Sequence, residues 1–349
     1  AISEMTKRGY APSFAVGTVA AGGTLGIMIP PSITFCLYGM LTETSIAQLL
    51  MAGILPGLLL SAFLVISIII RTHVSPSLIN HKVEGVDKKS PGELGIAEAR
   101  EIVNQAKTLA AEEKGTKQAN TNLVQKTSGK GPTIFTILPA LALIVIVLGS
   151  IYLGWATPIE AAGYGVVGSF IIVLAQRRLT KKMFSGVMLN TARTGTMMIF
   201  LMVCGTIMSN TLARLGIPQM IATAFANSGL SAGVFLLLIT VMWFILGCLM
   251  DPASMIILTV PFLLNALVEL GFNKVHIGVL VVLAAQIAMI TPPVGMNLFV
   301  LRANSDVSMG DIIKGAVPYV LIFFVGYVVL ALFPDISTIV PKLMGFNVR

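Results

Sequence analysis

The chain has 349 residues, 56% of them hydrophobic and only 11% charged, about half the charged share of an ordinary soluble domain. Its formal net charge is +8, but the Lys and Arg residues sit in short connections between apolar runs, which excludes a basic nucleic-acid face and points to a membrane protein. Cys36, Cys204 and Cys248 are isolated in apolar segments and His73, His81 and His276 are scattered, so packing is expected of each cysteine and no metal or redox centre is expected.

In chain order, apolar segments occupy about 11–41, 46–70, 133–153, 158–176, 184–208, 217–270, 275–302 and 311–333. A membrane-crossing helix needs roughly 20 apolar residues, and several of these qualify. The chain opens at Ala1, not at a Met, with AISEMTKRGY and no signal peptide, and this start reads as the inside of a longer protein. One large polar stretch, 71–132, interrupts the apolar pattern. Its composition predicts a soluble excursion with a short helix near 93–113 between Ser/Thr/Asn/Gly-rich flanks.

With that stretch on the cytoplasmic side, 18 Lys/Arg fall inside. Arg214, Lys274, Lys342 and Arg349 fall outside, and Arg193 lies within a helix. This is a strong positive-inside bias, and it places the C-terminus outside. It holds only if 217–270 enters and leaves on the outer side, as a re-entrant hairpin broken at Asp251-Pro252. Such backbone is tolerated in a membrane only when buried in protein or lining a cavity.

Residues 29–57 repeat in 291–319 without a gap. Pro30 matches Pro292, Pro31 matches Pro293, Gly53 matches Gly315 and Pro56 matches Pro318, each 262 positions on (30 to 292, for instance). The charge pattern has the two copies run oppositely through the membrane. Inverted repeats carrying broken helices are the mark of secondary transporters. The same offset puts the partner of the Asp251 tip before residue 1, so AISEMTKRGY is expected to end a first hairpin's return limb.

A Pro-Pro break removes backbone donors and frees carbonyls. Freed carbonyls and half-helix ends can bind Na⁺, and half-helix N-termini face anionic substrates. The first break offers Gly22, Gly23, Thr24, Gly26 and Ser32; the second offers Thr291, Gly295 and Asn297. The bland alternative is a pair of kinks that only shape packing. Asp251 is the one acid placed deep in the membrane, and an intramembrane carboxylate is a functional candidate. It also suits an N-cap followed by Pro252 at the first helical position. Glu160, at a helix start, suits a cap. Arg193 could meet a substrate carboxylate, although snorkelling to the interface is the plainer reading. Arg302 suits a solvated helix end. No GxxxxGK[ST] motif occurs, so ATP is not expected as the energy source.

Taken together, KRGYAPSFAVGTVAAGGTLGIMIPPSI, GWATPIEAAGYGVV, LMDPASMIILTVPFLL and ITPPVGMNLFV closely resemble the large membrane subunit of TRAP (tripartite ATP-independent periplasmic) transporters, over the whole chain except 73–132. The resemblance implies an all-α polytopic membrane protein of the ion-transporter superfamily, with inverted repeats, broken helices and re-entrant hairpins working as an elevator. It implies Na⁺-driven uptake of a carboxylate or sulfonate across the bacterial inner membrane, with the C-terminus periplasmic. No cofactor is implied beyond Na⁺ as coupling ion. The implied partners are a small four-helix membrane subunit and a periplasmic substrate-binding protein.

Carried onto this chain, a first Na⁺ site would involve Gly23, Thr24, Gly26, Pro30 and Ser32, and would lack its hairpin tip. A second would involve Gly247, Met250, Asp251, Ala253, Thr291, Val294 and Gly295. Substrate would lie near Asp251, Ser254, Pro292 and Asn297, with Arg193 a further candidate. The implied transport domain comprises 1–45 and 211–302. Residues 46–72, 133–210 and 303–349 are then scaffold, linking helices and tail, and 73–132 is the cytoplasmic insertion. Departures from the family pattern are the absent first hairpin, the long insertion and Arg302 after NLFV. The alternatives are a stand-alone carboxylate exchanger or ion-coupled symporter without a binding protein, a channel, and an intramembrane enzyme. The enzyme lacks a second acid or Ser/His partner for Asp251.

Overall fold

In the computed structural model, residues 1–79, 134–177, 179–217, 219, 220, 223, 231–292, 295–303, 305 and 307–346 are described. The expected helix at 93–113 lies outside them. All secondary structure among the described residues is helical. Contact density separates two compact units, Ala1–Val83 with Thr196–Arg349, and Glu84–Gly195.

The first unit opens with α1 (Ile2–Lys7), α2 (Pro12–Met28), α3 (Ile33–Thr42) and α4 (Ile46–Val74). A single 3-10 turn, Pro76–Leu78, follows, and the Leu78 carbonyl accepts a bond from the Ala11 N–H at 2.9 Å. Helical structure therefore continues past residue 72 and packs back onto the start of α2. The second unit holds α5 (Ile134–Tyr152) and α6 (Pro158–Ala175), packed on each other. A capping box starts α6, with Thr157 and Glu160 each bonding the other's backbone N–H, as expected of that glutamate. α7 (Lys181–Arg214) is one continuous helix of 34 residues through the division, about 51 Å long and longer than the segment expected at 184–208.

The remaining helices belong to the first unit: α8 (Ala232–Leu249), α9 (Pro252–Glu269), α10 (Lys274–Ala288), α11 (Met296–Ala303), α12 (Met309–Leu332) and α13 (Asp335–Leu343). Among the described residues six helical stretches are long and apolar enough to cross a membrane, and α9, bent by 55° after Pro261, would make a seventh. Exposed Leu, Ile, Val and Phe residues cover their outer faces, the surface a bilayer requires. α10 spans about 22 Å by helical rise, short of the roughly 30 Å hydrocarbon core.

The repeat read from four Pro/Gly matches extends through the helix boundaries. α2 and α10 begin at 12 and 274, α3 and α11 at 33 and 296, and α4 and α12 at 46 and 309. α1 and α9 end at 7 and 269. Each ends through a left-handed glycine, Gly9 (φ 87°) and Gly271 (φ 91°). The closing bonds also correspond, Tyr10 N–H to the Met5 carbonyl and Phe272 N–H to the Leu267 carbonyl. This is the glycine-terminated C-cap in which the chain reverses out of a helix. Gly9 and Gly271 stand at the same offset as the Pro/Gly matches (9 to 271).

α10 is buried on every side, and α2, α3, α4, α8, α9, α12 and α13 pack around it. Helices approach closely where glycines remove side chains. A Cβ on Gly17 would lie 2.1 Å from the Gly315 carbonyl oxygen, and one on Gly315 would lie 2.0 Å from that of Ser13. Polar pairs tie distant segments inside the apolar interior. Thr18 Oγ1 meets Tyr319 Oη at 2.7 Å, Thr240 Oγ1 meets Tyr327 Oη at 2.7 Å, and Tyr38 donates to the Lys274 carbonyl at 2.7 Å. Within the α8–α9 hairpin, Trp243 Nε1 donates to Thr259 Oγ1 at 3.0 Å.

Candidate functional site

The second break is where sequence-predicted residues converge. α8 ends at Leu249, Met250 and Asp251 are extended, and α9 begins at Pro252. Asp251 caps α9, with its Oδ2 accepting from the Ser254 N–H at 3.0 Å and Oδ1 accepting from the Ser254 hydroxyl. The carboxylate is half-buried at the N-terminus of α9, where the first turn's backbone N–H groups lack partners within the helix. Both oxygens turn towards its own helix, so its first role is the cap; Met250, Ala253 and Ser254 are placed by that junction.

The hairpin is seated on α10. A Cβ on Gly247 would fall 2.7 Å from Ala288 Cβ, 3.3 Å from Met255 Sδ and 3.6 Å from Ala285 Cα. Next to it, Cys248 Sγ points to the Thr291 carbonyl at 3.9 Å. Beyond Ala288 the helix loosens. Thr291 Oγ1 donates to the Ile287 carbonyl at 2.7 Å, and the Asn297 N–H reaches back to the Met289 carbonyl at 3.1 Å. Gly295 has φ +42°, and a Cβ there would meet the Thr291 carbonyl oxygen at 2.9 Å, so the turn requires glycine. Pro292 is half-buried; Pro293 and Val294 lie outside the described residues. This break therefore gathers Gly247, Cys248, Ala288, Thr291 and Gly295. Among the described residues no hydrogen bond joins the Asp251 carboxylate to it.

The first break has the same elements with one side open. Pro30–Pro31 is a cis bond, and Ser32 caps α3, accepting from the Phe35 N–H at 3.5 Å and contacting Thr34 Oγ1 at 2.8 Å. Thr24 is buried and bonds the Ala20 carbonyl. On one side α4 presses close, where a Cβ on Gly53 would lie 2.8 Å from the Met28 carbonyl oxygen. On the other, Gly22, Gly23 and Gly26 are exposed, and a Cβ on any of them would meet nothing within 4 Å.

Arg193 is exposed on α7 in the second unit, so it is not one of the residues that the first unit brings together. Arg302 is exposed and donates to the Val307 carbonyl at 3.0 Å, a solvated helix end as expected. Cys204 is exposed rather than packed, because none of the described residues covers its face of α7. His276, one of the three scattered histidines, is buried and its Nδ1 meets Ser337 Oγ at 3.2 Å. Among the described residues no group of three His, Cys, Asp or Glu could hold a metal.

One residue was missed. Gln286 is completely buried in the last turns of α10, and neither its amide nitrogen nor its amide oxygen has a hydrogen-bond partner among the described residues. An unsatisfied buried amide is costly and calls for a reason beyond stability. It occupies the repeat position of Thr24 (24 to 286). Its only signal was one polar residue in the run VLVVLAAQIAMI.

Membrane-length helices, a repeat of broken helices and a hairpin seated on one break define a polytopic secondary transporter. The chain belongs to the DctM component family of tripartite ATP-independent periplasmic transporters, whose family model matches residues 1–336. It is 32% identical over 348 residues to the C4-dicarboxylate TRAP transporter large permease protein of Pseudomonas aeruginosa, covering 99% of this chain and 72% of that protein. The sialic acid large permease of Vibrio cholerae is 30% identical over 350 residues, covering 99% and 72%. The isethionate TRAP permease of Oleidesulfovibrio alaskensis is 30% identical over 340 residues, covering 96% and 46%.

Proposed function

We propose that this chain is the membrane permease subunit of a Na⁺-coupled importer that takes an organic acid, a carboxylate or sulfonate, from a periplasmic binding protein and moves it through the inner membrane by an elevator motion. A small four-helix membrane subunit braces the scaffold in this reading. The observation that carries it is the α8–α9 tip seated on the second break, with Gly247 against Ala288 beside the loosened carbonyls of residues 287–291. Oxygen donors suit a hard cation, and half-broken helices supply them at membrane depth.

In this mechanism Na⁺ is held by carbonyl and hydroxyl oxygens of Thr291 and the neighbouring turns. The ion draws the hairpin tip onto the break and adds positive charge beside the α9 N-terminus, where an anionic substrate is stabilised. Asp251 holds the tip's shape through its cap. Thr24, Ser32 and the open glycine face play the equivalent part at the first break, completed by a covering tip. The relatives carry C4-dicarboxylates, sialic acid and isethionate by name, all anions, which is the substrate class proposed.

The test is uptake into proteoliposomes holding the permease with its membrane partner, with the binding protein outside. Uptake should require an inward Na⁺ gradient and the binding protein, and Thr291→Ala should raise the Na⁺ concentration for half-maximal uptake. Unchanged Na⁺ dependence in that variant would remove Thr291 from the ion site. Uptake without any soluble partner would favour the stand-alone exchanger.

A further inference from the structure

α13 follows the last long apolar helix, α12, after a short break at Phe333 and Pro334. It has 9 residues and rises about 14 Å. That is under half of the roughly 30 Å hydrocarbon core, so α13 does not cross the membrane. A left-handed glycine, Gly345 (φ 83°), ends it, and the Phe346 N–H returns to the Pro341 carbonyl at 3.1 Å.

The helix has three faces. One is closed by protein. Ser337, Thr338 and Pro341 are buried where α13 packs on α4 and α10, and Ser337 Oγ meets His276 Nδ1. The second is charged: Lys342 Nζ and Asp335 Oδ1, two turns apart, pair at 3.1 Å and are exposed. The third is apolar. Ile336, Ile339, Val340 and Leu343 recur at the spacing of a single helix stripe, and Ile339 and Leu343 are 43% and 79% exposed. At about 100° per residue this stripe points away from the buried face, and the ion pair lies on the edge between them. A helix standing against water buries its leucine and isoleucines and exposes its serine and threonine; α13 does the reverse. Its stripe also continues an apolar surface already turned to the bilayer, for Leu332 at the end of α12 and Phe333 after it are 69% and 59% exposed.

We propose that α13 is an interfacial helix lying in the plane of the membrane. Its stripe from Ile336 to Leu343 rests in the headgroup–acyl boundary of the leaflet where α12 ends, and its Asp335–Lys342 pair faces water. Short amphipathic helices bind lipid surfaces in this way. Through Ser337 and His276, α13 then holds the start of α10 at a fixed depth. The proposal does not depend on ion coupling or on the substrate.

Depth quenching of the full-length permease in phosphatidylglycerol–phosphatidylcholine vesicles tests it. The background carries Cys36→Ser, Cys204→Ser and Cys248→Ser, and each single cysteine bears a bimane. Ile336→Cys and Leu343→Cys put labels on the same stripe, about 10 Å apart along the helix axis. Nitroxide lipids should quench both at equal depth, about 5–10 Å into the boundary. The label at Lys342→Cys should be quenched mainly by iodide from the water. Ile339→Cys supplies another stripe position if either variant fails to give a monodisperse protein. Three results would each overturn the proposal. Depths that differ by the axial separation of the labels would mean an upright helix. Iodide quenching of the stripe as strong as at Lys342→Cys would place it in water. Shielding of the stripe from both quenchers would mean that a protein partner covers it.

Discussion

α2 and α10 occupy the same place in the repeat, yet they live in different surroundings. α10 has 14 of its 15 residues buried, whereas α2 has 9 of 17. The difference comes from one neighbour: α10 carries the α8–α9 hairpin, with Gly247 pressed onto Ala288, while the corresponding flank of α2 shows Gly22, Gly23 and Gly26 with open space beside them. A broken helix is therefore only half of a site. The covering tip decides whether its freed backbone groups are enclosed.

That comparison can be broken most severely at the seat of the hairpin. Gly247→Val puts branched carbon where even a Cβ would lie 2.7 Å from Ala288. Overpacking of this kind costs about 1–3 kcal/mol, so a lowered melting temperature in detergent and loss of Na⁺-driven uptake are expected. The matching change Gly23→Val meets open space and should alter stability by less than about 0.5 kcal/mol. Equal destabilisation of the two variants would remove the contrast.

Gln286→Leu probes the buried amide and is expected to separate stability from activity. Removing an unsatisfied buried polar group should leave the melting temperature unchanged or raised, by the equivalent of about 1–3 kcal/mol at most, while uptake falls. A clear loss of stability would show that the amide is bonded in the working protein.

The cap at Asp251 gives a smaller and more diagnostic effect. Asp251→Ala should cost about 1 kcal/mol, and Asp251→Asn much less, because asparagine caps as well as aspartate. If Asp251→Asn nonetheless weakens Na⁺-driven uptake, the charge matters beyond the cap. If it transports normally, the residue serves the tip's shape alone.

The smallest perturbation sharpens the first break. In a Cys204→Ser background, a cysteine placed by Gly23→Cys should react readily with a soluble maleimide, and Ala288→Cys should not, since Ala288 is fully buried. Protection of the cysteine at position 23 in the assembled transporter would show that another segment or subunit covers that face.

The sequence alone was enough for the class of protein, the helical spans, the repeat and the helix caps, because each rests on local pattern. Apolar length, Pro-Pro pairs, Asp-Pro at 251–252 and Thr157 three residues before Glu160 act through neighbouring backbone, so they can be read in one dimension. The family motifs were legible for the same reason. What packs on what was decided only by tertiary structure. Whether a glycine is open, as at Gly23, or closed against another helix, as at Gly247 and Gly17, depends on a segment distant in sequence, Ala288 for the one and Gly315 for the other. The same holds for Gln286, whose burial without a partner follows from the ring of helices around α10, and for Arg71, whose place between Phe14 and Tyr319 needs three separate helices to meet.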